Sequence, residues 1–147
     1  MMEKLNPKEI NTTALAFIGD AVYEVFVREY VMAAGEYRAD RLHRAAVRYV
    51  KADAQAYAVK SLMRDFLTEE EITLVKRARN HKSVSKSRSA GPVAYKLATA
   101  FEALLGYLYF SGRQERILEV VNEAVRRIEA AEGDKEKSCV LQRRNHE

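Results

Sequence analysis

Cysteine, proline, glycine and tryptophan are scarce in this chain of 147 residues: one, two, six and none. The single cysteine, Cys139, excludes a disulfide framework and a cysteine-built metal site. So few prolines and glycines leave little room for hairpin turns, which argues against a sandwich or barrel and for long helices. Long apolar runs are also missing. The longest stretch without a charged or amide side chain runs from Ala103 to Gly112, far short of the ~20 apolar residues a bilayer crossing needs. No secretory pattern opens the sequence, so a cytoplasmic protein with no membrane partner is expected. Hydrophobic residues at 48% and charged residues at 31% fit a folded domain rather than a disordered chain.

One further absence is local. No acidic residue lies between Glu71 and Glu102, whereas Lys76, Arg77, Arg79, Lys82, Lys86, Arg88 and Lys96 all fall in that window, with His81. The net charge of +4 is mild, but this distribution is not. From Asn80 to Ser89 the chain is short on large apolar residues and rich in small hydrogen-bonding ones, a composition suited to a loop that lays cations and hydroxyls against phosphates. Arg77, Arg79, His81, Lys82, Lys86 and Arg88 are the candidate nucleic-acid contacts, and a solvated basic loop is the plainer alternative.

Helical spacing accounts for most of the rest. Asn11 or Thr12 is placed to cap a helix in which Leu15, Ile18, Val22, Val25, Phe26 and Tyr30 recur at three-to-four spacing. Gly35 fits its end. A second helix starts near Asp40 and carries Leu42, Ala46, Val47 and Val50. The pattern resumes after a break near Asp53. Thr68 followed by Glu71 has the capping-box form, and Gly91-Pro92 places proline at a helix start. The helix from Pro92 to about Phe110 is nearly all apolar and is the expected centre. After Ser111-Gly112 comes a last amphipathic helix with Ile117, Leu118, Val121, Ala124, Val125 and Ile128. The expected fold is all-α, a bundle of about six or seven helices over residues 1–131, with a polar, disordered tail over 132–147.

Two carboxylates sit in apolar company. Asp20 lies within Leu15-Ala16-Phe17-Ile18-Gly19-Asp20-Ala21-Val22 and Glu102 within Thr99-Ala100-Phe101-Glu102-Ala103-Leu104. Such a carboxylate costs several kcal/mol unless it is paired, protonated or on a metal. Thr13 and Glu24 share a helix face with Asp20, and Thr99 sits one turn before Glu102. If the two polar stripes face each other they form an acidic pocket edged by cations, the layout of a metal-dependent phosphodiesterase. The alternative is structural pairing, of Asp20 with Arg28 or another base and of Glu102 with Lys96 or an arginine from elsewhere. His43 and His81 have no partner at metal-ligand spacing.

Ala16-Phe17-Ile18-Gly19-Asp20-Ala21-Val22 resembles the E-F-L-G-D-A-V signature of the ribonuclease III catalytic domain. Thr99-Ala100-Phe101-Glu102-Ala103-Leu104-Leu105-Gly106 resembles that family's second motif, D-x-F-E-A-L-x-G, and the order and separation of the two also fit. No double-stranded-RNA-binding domain follows, which points to the family's short form. The resemblance implies a homodimeric, metal-dependent endoribonuclease acting on double-stranded RNA, with precursor 23S ribosomal RNA as substrate. Asp20 and Glu102 would hold Mg²⁺ (or Mn²⁺), Thr99 and Thr13 would be supporting polar groups, and Phe17 a dimer contact. Ala16 and Thr99 stand where the family's other two carboxylates would be, as they do in its short form. A catalytically silent RNA-binding or ribosome-associated module is the rival expectation, and DNA binding ranks low because no base-reading helix-turn-helix is visible.

Overall fold

Asn11 starts the first long helix. Its backbone is extended and its side chain accepts a hydrogen bond from the Ala14 N–H at 2.8 Å, so Asn11 rather than Thr12 is the cap and Thr12 is buried in the first turn. The computed structural model describes residues 5–81 and 91–144, with side chains through residue 133. A 3-10 turn at Pro7–Glu9 precedes six helices: α1 (Thr12–Ala33), α2 (Ala39–Val50), α3 (Ala52–Asp65), α4 (Glu69–Asn80), α5 (Pro92–Phe110) and α6 (Gln114–Arg144). The described residues are all-α, and none of their helices is long and apolar enough to cross a membrane.

The sequence locates most helix boundaries. Thr68 Oγ1 accepts from the Glu71 N–H and the Glu71 carboxylate accepts from the Thr68 N–H, closing the capping box of α4. Pro92 opens α5, and Gly35 and Gly112 take the positive φ angles that end α1 and α5. Two expected boundaries move. α2 begins after Arg38, so Asp40 lies inside its first turn, where its charge suits the helix dipole. The break between α2 and α3 is the single extended residue Lys51 rather than a stretch near Asp53. In α6 the helix runs to Arg144, through residues that composition assigns to a disordered tail. Ala, Glu and Lys are strong helix formers and no proline interrupts them.

α5 is the centre of the bundle. Leu97, Phe101, Leu104, Leu105 and Leu108 are buried along it, and it packs against α1, α3, α4 and α6. Burying each such side chain contributes about 1.5–3 kcal/mol. α1 crosses α5 on the face made by Leu15, Gly19, Val22, Tyr23 and Val27. Val25 and Tyr30, which fit the same periodicity, are exposed instead. The Tyr23 ring meets Phe101 edge-on at 5.2 Å, and its hydroxyl donates to the Tyr49 carbonyl at 2.9 Å. On the opposite flank Arg116 donates to the Glu71 carboxylate at 2.7 Å and to the Phe66 carbonyl at 3.2 Å, tying α6 to the end of α3 and the start of α4.

The α1–α5 crossing is set by two glycines. A Cβ built on Gly19 would stand 1.6 Å from the Glu102 carbonyl oxygen, and one on Gly106 would stand 1.9 Å from that of Leu15. In each case the obstacle is backbone, which cannot swing aside. Gly19→Ala or Gly106→Ala should therefore cost about 3 kcal/mol or more of folding free energy in urea denaturation. Gly133→Ala, in open space on α6, should instead stabilise by up to about 1 kcal/mol. Losses at 19 and 106 no greater than the change at 133 would contradict this packing.

Candidate active site

The close approach at Gly19 decides which side chains become neighbours. Asp20 follows Gly19 on α1, and Glu102 is the residue whose carbonyl Gly19 touches on α5. The backbones meet there, so the two carboxylates leave adjacent helices at the same level. The charge of Asp20 raises the cost of ionising Glu102. Burial first, then the Asp20 charge, pushes the Glu102 carboxyl up to about 8, with Glu24 adding to the shift. Asp20, more exposed, is also raised, first by burial and then by Glu24 one turn further along α1.

Arg28, the structural partner considered for Asp20, bonds instead to Glu24 at 3.0 Å, and among the described residues no Lys or Arg pairs with Asp20 or Glu102. Among the described residues, the structural ion-pair reading finds a partner for neither. Nor do three or more His, Cys, Asp or Glu side chains gather as a ligand set among the described residues. Two carboxylates are enough for Mg²⁺, which keeps several waters and takes substrate phosphate oxygens. The donor set of Asp20 and Glu102 fits such an ion.

The other expected residues divide. Thr99, half-buried, donates its hydroxyl hydrogen to the Tyr95 carbonyl at 3.0 Å, leaving its lone pairs to accept. Thr13 is exposed in the first turn of α1. Ala16, at a position where the signature has a carboxylate, is buried. Phe17 is 85% exposed, a large apolar ring standing in solvent three residues before Asp20. Arg77 and Arg79 lie in the last turn of α4 and His81 at its C-cap, with Arg77 and His81 exposed. Lys82, Lys86 and Arg88 lie outside the described residues.

Gln55 belongs here too, although sequence reasoning passed over it. It is 3% exposed on α3, and its Nε2 donates to the Val50 carbonyl at 2.7 Å, satisfying the open end of α2. The same amide is near enough to Glu102 to favour its charged carboxylate, partly offsetting the cost of burial. Its Oε1 is buried with no hydrogen-bond partner, a state costing about 1–3 kcal/mol. A lone glutamine among the alanines of Ala52–Asp65 is the one available signal.

Residues 13–113 match the family model of the Ribonuclease III domain, a span that includes both carboxylates and both glycines. The chain belongs to the ribonuclease III family. Its similarity is to the Mini-ribonuclease 3 branch. The protein of that name from Brevibacillus brevis is 50% identical over 119 residues, 81% of this chain and 88% of the relative. That from Symbiobacterium thermophilum is 46% identical over 128 residues, 87% of this chain and 98% of the relative. A crystal structure of a protein from Fusobacterium nucleatum has a TM-score of 0.71 at 33% identity, covering 80% of this chain and 93% of that one.

Unpaired carboxylates in this ribonuclease III domain have a thermodynamic signature. From pH 4.5 to about 8 the folded protein keeps a proton on Glu102 that the unfolded chain releases. Stability from this group is full below 4.5 and is lost as pH rises through 8, by at most about 1.4 kcal/mol per pH unit. Glu102→Gln removes the titration. In chelator-treated protein the variant should gain stability over the parent as pH goes from 5 to 8.5 in urea denaturation. A difference constant across that range would contradict the assignment.

Proposed function

We propose that this ribonuclease III-type endoribonuclease uses Asp20 and Glu102 to hold Mg²⁺, with Mn²⁺ as substitute, and hydrolyses phosphodiester bonds in double-stranded RNA. The single observation that carries the reading is the pair itself: two carboxylates pressed together by a glycine crossing, unpaired with any described base. A divalent cation supplies Lewis acidity and an activated water in such a centre. The chain's own part is to keep both carboxylates aimed at one point and to bring the phosphate there.

Thr99 accepts a hydrogen bond from water through the lone pairs its Tyr95 contact leaves open, and Thr13 adds a polar group at the exposed start of α1. Arg77, Arg79 and His81 carry positive and hydrogen-bonding groups off the end of α4, continuing into Lys82, Lys86 and Arg88. A-form RNA is read through shape, phosphates and 2′-hydroxyls, so cations without base-reading geometry suffice. Phe17 buries its exposed ring in a second copy of the chain. A two-fold axis then presents one site to each antiparallel strand. Large-subunit (23S) ribosomal RNA precursor is the proposed substrate, and the cytoplasm the site of action.

A purified sample should cut a long RNA duplex on both strands only when Mg²⁺ is present. Asp20→Asn and Glu102→Gln should each slow cleavage by about a hundredfold or more, as sized on denaturing gels. Tight, metal-independent duplex binding without cuts, retained by both variants, would instead favour the silent RNA-binding module that the losses at Ala16 and Thr99 suggest.

A further inference from the structure

Gln55 is the one buried polar side chain among the described residues with an atom left unpartnered, and it lies on α3, which packs against α5, within reach of Glu102. Its orientation is fixed rather than chosen. The Val50 carbonyl can only accept, so the amide nitrogen must be the atom that faces it at 2.7 Å. That bond also ties the side chain to the α2–α3 corner, where Lys51 is the only extended residue between two helices. Capping α2 explains Nε2. It does not explain an oxygen kept dry with nothing to accept.

Resting on the metal-centre reading above, we propose that Gln55 is a positioning residue of that centre. Held at the α2–α3 corner by its bond to the Val50 carbonyl, it offers its free Oε1 to a hydrogen bond from a water in the cation's hydration shell. With Ala16 and Thr99 in place of the carboxylates the signature motifs carry, a neutral oxygen on α3 adds an acceptor from a third helix without adding a third repelling charge. Partners that orient a metal's ligands in this way typically matter 10–100-fold in metal affinity. They act on binding of the cation more than on the chemical step.

The test is equilibrium binding of Mn²⁺ to the RNA-free protein, read by electron paramagnetic resonance of the free ion. Parent, Gln55→Met, Gln55→Glu and Asp20→Asn are compared, with melting temperatures taken in chelator. Gln55→Met removes the oxygen while keeping length and should weaken Mn²⁺ binding 10–100-fold; because it also gives up the bond to the Val50 carbonyl, binding is compared well below the melting temperature each variant shows in chelator. It should also raise the Mg²⁺ concentration for half-maximal RNA cleavage by a similar factor, with the rate at saturating Mg²⁺ within a few-fold of the parent. Gln55→Glu keeps the oxygen and adds charge, so it should bind Mn²⁺ at least as tightly as the parent while melting lower in chelator.

Mn²⁺ affinity of Gln55→Met within twofold of the parent would overturn the proposal. If that variant does not fold, weaker Mn²⁺ binding by Gln55→Glu than by the parent overturns it. Asp20→Asn separates the two layers of inference. Binding lost in Asp20→Asn but unchanged in Gln55→Met removes only the role of Gln55. Binding unchanged in Asp20→Asn removes the metal centre, and the role of Gln55 with it.

Discussion

Everything at the candidate centre depends on how closely α1 and α5 approach. Helices normally pack with 8–10 Å between axes, a separation set by the side chains at the contact. Here Gly19 and Gly106 contribute none, and each lies against the other helix's backbone. Helix-interior glycine costs about 0.5–1 kcal/mol relative to alanine, and the crossing recovers this through backbone packing and the buried ring of Phe101 against Tyr23. Asp20 and Glu102 are neighbours because the two residues that touch at the crossing are Gly19 and Glu102 itself. The glycines are therefore as much part of the site as the acids.

That arrangement works against the stability of the folded state. A half-buried Glu102 and an exposed Asp20 of the same sign sit together, Glu24 adds to the field, and Gln55 holds a dry, unpaired oxygen nearby. Elsewhere the same fold satisfies its buried groups. Burial alone would push the Glu71 carboxyl up, but hydrogen bonds from Arg116 and Thr68 hold it below its usual range. Arg127 reaches the Ser61 carbonyl and the Asp65 carboxylate, both at 2.7 Å. Unsatisfied electrostatics concentrated at one place, in a bundle that pairs Glu71 and Arg127 elsewhere, are the physical basis of the proposed cation site.

Local signals made the helices legible. Thr68 and Glu71, Pro92, Gly35 and Gly112 mark boundaries because capping and turn chemistry act within a few residues. Asp20 and Glu102 stood out because a charge in an apolar helix needs an explanation wherever the helix packs. What the sequence hid was relational. Periodicity alone put Val25 and Tyr30 on the buried face of α1, because it cannot tell a packed stripe from a neighbouring exposed one. Gln55 looked like any helical amide until α3 was laid beside α5. Gly19 and Gly106 were visible as glycines, but that each faces the other helix's backbone is a fact about residues more than 80 positions apart.

The most direct check on this account is the protonation state of Glu102, followed by ¹³C NMR of protein labelled at the glutamate carboxyls, with Glu102→Gln to assign the signal. Without metal the resonance is expected to titrate with a midpoint near 8. Saturating Mg²⁺ should drive that midpoint down by about 1–3 units, as a cation within contact range does to a carboxylate. A midpoint near 4.5 in the metal-free protein, or one near 8 that Mg²⁺ leaves in place, would contradict a metal centre built on this pair.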